Sequence, residues 1–200
     1  MRLKTLLVAA ALAVCITVVS APNTFAQNLL TNGNFGTGSF SGWTTSNNFE
    51  DTEVVSGAFY DYSGGQGGST FYAVLGPVGS DGTLSQSFTD VSGASYTFSF
   101  WFASVGDNPS DFSADWDGTA VLSLTNPNTG ANWTEYTFTE TGTGHDTISF
   151  NFRDDPEYMA LDNVSVTEVS GQTVPEPSSW LLLGTGVLGL GGIVRRKLRR

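Results

Sequence analysis

Carboxylates and aromatic rings are the side chains of this 200-residue sequence with the means to do chemistry, and the carboxylates fall in two runs. Asp154, Asp155 and Glu157 surround Pro156, and Asp107, Asp111, Asp115 and Asp117 lie within a second short stretch. Glycoside hydrolysis uses two carboxyl groups roughly 5–10 Å apart across a cleft. Carboxylates gathered around a proline, or around a hairpin signal such as Asp117-Gly118, read instead as solvated turns. Neither run has the spacing of a known calcium loop. His145 is the only histidine and follows Gly142-Thr143-Gly144 in an expected hairpin turn. No Gly-x-Ser-x-Gly elbow marks a nucleophile to go with it. The sequence therefore offers no catalytic residue.

The rings are the better candidates. Sugars present C–H patches that stack on flat side chains, so an exposed indole or phenol can serve as a platform. Trp101 alternates with Phe100 and Phe102 and points away from them. Tyr60 and Tyr62 flank Asp61 just before the run Gly64-Gly65-Gln66-Gly67-Gly68, and Trp116 completes the set. Trp43, beside Gly42, is expected in the core. The competing reading of all these rings is that they cover sheet edges or pack under loops.

Strands must position them, because no window carries a 3.6-residue apolar repeat while period-two runs recur between turn signals. Trp43 opens a short element. Strands are expected over 49–55, 70–75, 82–88, 95–104, 114–124, 133–139, 146–152 and 159–169. In the clearest of them Tyr96, Phe98, Phe100 and Phe102 share one face, opposite Thr97, Ser99, Trp101 and Ala103. The same alternation buries Ile148, Phe150 and Phe152, and later Leu161, Val164 and Val166. Nine or ten short strands without helices predict an all-β fold, a two-sheet antiparallel β-sandwich of jelly-roll type, over residues 27–170.

The two ends read differently. Arg2 and Lys4 precede an apolar run, and Thr24-Phe25-Ala26 supplies small residues for cleavage, so residues 1–26 are expected to be a signal peptide. Cys15, the only cysteine, would leave with it, so no disulfide or thiolate is expected in the domain. Residues 171–179 form a proline-containing linker, residues 180–194 an uncharged stretch expected to be a short transmembrane helix, and residues 195–200 a basic tail on the cytoplasmic side. Between the ends, Arg153 is the single Lys or Arg against eighteen of the nineteen acids, a net charge close to −17. A surface that acidic repels phosphate polymers, which excludes nucleic acid as an expected partner. Divalent cations and neutral sugars fit it.

Pro175-Glu176-Pro177, the brief Gly- and Leu-rich apolar stretch, and the cluster Arg195, Arg196, Lys197, Arg199 and Arg200 resemble the PEP-CTERM sorting signal of Gram-negative bacteria. That resemblance implies exosortase, a membrane-embedded cysteine peptidase, as a partner. It also implies transient anchoring in the inner membrane, then release to the cell surface or the polysaccharide matrix. Separately, Asn28-Leu29-Leu30-Thr31-Asn32-Gly33-Asn34-Phe35 with Gly42-Trp43, and the closing Leu161-Asp162-Asn163-Val164, resemble carbohydrate-binding jelly rolls of the family 4/9 type. This second resemblance implies a non-catalytic module that binds glycan, such as exopolysaccharide, and a structural calcium ion held by Asn34 and Asp162. A secreted hydrolase acting on matrix glycans is the alternative from a different class.

Overall fold

The computed structural model describes residues 27–155 and 157–169. The expected signal peptide, linker with its PEP motif, apolar helix and basic tail lie outside the described residues. Ten strands follow in order: β1 (Thr44–Asn47), β2 (Thr52–Ser56), β3 (Phe71–Leu75), β4 (Gly82–Thr89), β5 (Ser95–Ser104), β6 (Ser110–Trp116), β7 (Thr119–Thr125), β8 (Thr134–Thr141), β9 (His145–Asp154) and β10 (Met159–Glu168). They form two five-stranded sheets, ordered β1-β4-β9-β6-β7 and β2-β3-β10-β5-β8. Every pairing is antiparallel. The long crossovers put β9 and β10, late in sequence, at the centres of the two sheets. The expected sandwich is therefore the observed one.

One expectation needs redrawing. Residues 114–124, read as one strand, are a hairpin: β6 ends at Trp116, Asp117 and Gly118 turn with φ of 48° and 73°, and β7 begins at Thr119. The Asp-Gly pair supplies the positive φ that such a turn needs. Asp111 and Asp115 thus lie on β6 and not in a loop.

Period two decides the core. Tyr96, Phe98, Phe100 and Phe102 of β5, with Leu161, Val164 and Val166 of β10 beside them in the same sheet, are buried against Phe112 and Trp116 of β6 and Ile148, Phe150 and Phe152 of β9 in the other. Phe100 meets Phe150 edge-on at 5.1 Å, and Phe102 and Phe112 have ring centroids 4.3 Å apart. Each such ring contributes about 1.5–3 kcal/mol through burial alone. That packing carries the fold, which has no cysteine beyond Cys15 to staple it.

The opening Asn-Gly-Asn turn closes the sandwich on β10. The Val164 amide donates to the Gly33 carbonyl at 2.8 Å, and a Cβ on residue 33 would stand 2.1 Å from the Val164 carbonyl oxygen. Only glycine permits that approach. At the same point β10 bulges: Asp162 opposes Trp101, Ser165 opposes Ser99, and Asn163 takes φ of 49°. The bulge adds one residue, which turns Val164 inward while leaving Asp162 on the outer face.

Candidate functional site

The outer face of the β2-β3-β10-β5-β8 sheet holds most of the expected site residues. Register places Trp101 in one row with Glu135 of β8 and Asp162 of β10. Toward one end of that face the segment around residues 57–69 folds down and makes a second, smaller core from Tyr62, Tyr72, Val74, Ala103 and Ala160. Trp133 joins it, lying edge-on to Tyr72 at 5.8 Å and donating its indole N–H to the Gly64 carbonyl at 3.0 Å. Trp101 is half-buried and belongs to neither hydrophobic cluster. Its neighbours away from the covered end are Ser99, Thr137 and Ser165, all short and polar.

Asp162 explains why the Gly-rich segment lies where it does. Its side chain is buried, and its two oxygens accept the Gln66 amide at 3.0 Å and the Asn163 amide at 2.7 Å. Burial pushes its carboxyl up to about 6, with the two amide donors pulling the other way. Asn163 adds a bond from its side-chain amide to Gln66 Oε1 at 2.9 Å. Asn34, by contrast, is exposed and turns its Oδ1 onto the Gly36 amide at 3.1 Å. It lines an open pocket of about 380 Å³ with Asn28, Asn32, Asn163 and Ser165. Asp162 and Asn34 thus turn their side-chain oxygens to separate backbone amides.

Tyr60, Tyr62 and Trp116 separate in the structure. Phe59 and Tyr62 exchange backbone hydrogen bonds across a tight turn, so Tyr60 at its tip stands 69% exposed while Tyr62 returns into the sheet at 2%. The Tyr62 hydroxyl donates to the Tyr158 carbonyl, and burial, then the charge of Asp154, push its titration above the usual phenol range. Exposure of Tyr62 is corrected by that turn. Trp116 is corrected too: it shares the inward parity of Phe112 and Ala114, is buried at 6%, and packs edge-on to Phe88 at 5.4 Å. Neither ring can offer a free face. Tyr158, which the sequence reading passed over, takes their place. Its ring lies 5.2 Å from Tyr60 and 5.1 Å from Phe59, giving a three-ring patch beside the β9–β10 connection. The signal available for it was weak, a tyrosine in an acidic loop.

The carboxylates also differ from the expected solvated turns. Asp154 is fully buried at the end of β9, and burial followed by the charge of Asp107 pushes its carboxyl up to about 7. Asp146 is buried at the other end of β9; burial opposes its charge, but the neighbouring Asp90 carboxyl and the hydrogen bonds that Thr143 donates outweigh that and hold it below the usual carboxylate range. Asp155 is held low by the hydrogen bonds and charge of Arg153, with which it forms an ion pair. A general acid has to touch the glycosidic oxygen of its substrate. Asp146 and Asp154, having no exposed surface, are not placed to do so.

Comparison with known proteins fits the two halves of the chain separately. Residues 173–200 match the PEP-CTERM protein-sorting motif. The search of curated proteins finds no match. Among solved structures, TmCBM61 in complex with β-1,4-galactotriose is 19% identical with a TM-score of 0.57, covering 72% of this chain and 99% of that one. The CBM22-1 xylan-binding domain from Paenibacillus barcinonensis Xyn10C is 16% identical with a TM-score of 0.51, covering 76% and 99%. The enzymatically active domain of bacteriophage CBA120 tailspike protein 4 is 18% identical with a TM-score of 0.53, covering 71% of this chain but 21% of that one. At these identities the likeness speaks to fold. The chain therefore joins a β-sandwich with the fold of carbohydrate-binding modules to a PEP-CTERM sorting motif at its C-terminal end.

Proposed function

We propose that this chain is an exported, non-catalytic module that binds neutral glycan at the cell surface or in the extracellular matrix after exosortase has removed its C-terminal segment. The observation that carries the binding half is Trp101, a half-buried indole that contributes to neither hydrophobic core and faces a sheet surface of short hydroxyl side chains. An indole with no packing duty, in a setting that offers hydrogen bonds around its ring, suits the apolar face and polar rim of a sugar. Tyr60 and Tyr158 are a second surface of the same kind at the sheet edge. The xylan-binding and galactotriose-bound neighbours lend the fold-level analogy.

The hydrolase reading receives no comparable support, because the carboxylates with the most perturbed titration are enclosed. The sorting half rests on the motif at residues 173–200, which implies export to the cell envelope or surface. A glycan array probed with the full chain in mild detergent tests the binding half. Retention on neutral polysaccharide that falls about thirtyfold in Trp101→Ala, the equivalent of the roughly 2 kcal/mol expected of an aromatic anchor, supports the proposal. Retention by no glycan, or unchanged retention in both Trp101→Ala and Tyr60→Ala, removes it.

A further inference from the structure

At one end of the sandwich the structure brings together the two acidic runs. Ser110 of β6 pairs with Asp154 of β9, Asp155 donates its amide to the Pro109 carbonyl at 3.1 Å, and the Ser110 hydroxyl donates to the Asp107 carbonyl at 2.6 Å. Asp154 ends the inward stripe that begins with Asp146, Ile148, Phe150 and Phe152. Its side chain is fully buried, and neither of its oxygens has a hydrogen-bond partner among the described residues. The Oδ2 of Asp107 is buried without a partner as well.

Among the described residues nothing local answers these charges. Arg153 is the one Lys or Arg between residues 27 and 173, and it alternates to the opposite face of β9, where its guanidinium holds Asp155. The Tyr62 hydroxyl is committed to the Tyr158 carbonyl, the Asp154 amide to Pro77 and the Ser110 amide to Asn126 Oδ1. Buried carboxylates persist only when paired, neutralised or bound to a metal. Nothing among the described residues supplies a partner, so either a proton or a cation from solution must answer the buried charge.

We propose that Asp107 and Asp154 hold a calcium ion where the β5–β6 and β9–β10 connections meet. Ligand chemistry selects the ion. The donors are oxygens alone, since the single histidine begins β9 at its far end and no cysteine lies among the described residues. No three His, Cys, Asp or Glu side chains among the described residues converge as a metal cluster, so backbone carbonyls and water would supply the remaining ligands. Calcium accepts six to eight oxygens in irregular arrangements, whereas magnesium demands a near-ideal octahedron. The site is separate from Asn34 and Asp162, the latter being on β10 beneath the Gly-rich segment.

Thermal melting of the full chain in mild detergent, with calcium chloride or with chelator at pH 7.5, tests the assignment. Calcium at about 1 mM should raise the melting temperature on the order of 5 °C. Asp154→Asn should remove that rise and melt above the wild type in chelator, since it no longer buries a charge. Asp107→Asn should reduce the rise by at least half, and being outside the strands it carries the test if Asp154→Asn does not fold. Asp162→Asn should keep it. The assignment fails if calcium leaves the wild type unmoved, which would mean that a proton satisfies Asp154. It fails equally if magnesium matches calcium, if the rise survives in the Asp154 and Asp107 variants, or if Asp162→Asn abolishes it.

Discussion

Asp146 and Asp154 occupy the two ends of one inward stripe of β9, separated by eight residues or about 27 Å of extended strand, and their surroundings are opposites. Asp146 accepts the Thr143 amide at 3.1 Å and the Thr143 hydroxyl, so the preceding loop satisfies it from within the chain. Asp154 receives no such donors among the described residues. Two carboxylates of equal burial on one strand thus serve different ends: the first fixes a hairpin, and the second leaves a charge for something else to meet.

Asp162 gives the domain a pH dependence of definite sign. Its carboxyl is raised to about 6 by burial, from near 4 in an unfolded chain. A raised acid favours the folded state fully below the unfolded value, and that contribution is lost as pH climbs through about 6. Relative to Asp162→Asn, the wild type should lose up to about 3 kcal/mol between pH 4 and pH 7. Denaturant unfolding of both proteins across that range checks it, and parallel curves would mean that Asp162 titrates as an ordinary carboxyl.

Trp116→Ala should cost roughly 3–5 kcal/mol of stability, as a large aromatic lost from a packed core does. The ring contacts Phe88 and Phe98 at 5.4 and 6.1 Å, and the space it leaves lies between two sheets that cannot collapse readily. Chemical denaturation measures the loss. A cost under about 1 kcal/mol would return Trp116 to the surface.

The sandwich was legible because alternation is local: Tyr96 to Phe102 show their inward face in seven consecutive letters. Trp116 was legible by the same rule, two and four places after Ala114 and Phe112, once β6 and β7 are separated at Asp117-Gly118. What sequence could not show is which outward residues a distant segment covers. Tyr60 and Tyr62 are two positions apart, and only the Phe59–Tyr62 turn decides that one is exposed and the other enclosed. That the segment after Asp107 lies against the end of β9 at Asp154 depends on the pairing of β6 with β9, across more than 40 residues of chain. Charge runs read along the sequence miss such non-local neighbours.

Processing gives a mass. In a host with exosortase, the surface form should lack residues 1–26 and everything from the apolar stretch onward, following the motif at residues 173–200. Intact-mass spectrometry decides it. A surface species that retains Arg195 to Arg200 would leave the apolar stretch as an ordinary anchor.

Gly76→Ala distinguishes the two aromatic surfaces. Gly76 is buried after β3, and a Cβ there would come within 2.6 Å of the Tyr158 ring and 2.9 Å of the Asp51 carbonyl oxygen. The backbone oxygen belongs to the turn leading into β2 and yields less readily than a side chain, so the ring has to move, and with it the 5.2 Å contact between Tyr158 and Tyr60. Overpacking of this sort costs roughly 1–3 kcal/mol. Trp101, across the sheet beside Asp162 and Glu135, should keep its fluorescence maximum. If the Tyr60–Tyr158 patch is the main platform, Gly76→Ala will lower glycan retention as much as Tyr60→Ala does. If Trp101 is the anchor, retention will survive Gly76→Ala and fall with Trp101→Ala. A blue or red shift of Trp101 emission in Gly76→Ala would show that the two surfaces are coupled through the covering segment, and the separation drawn between them would not stand.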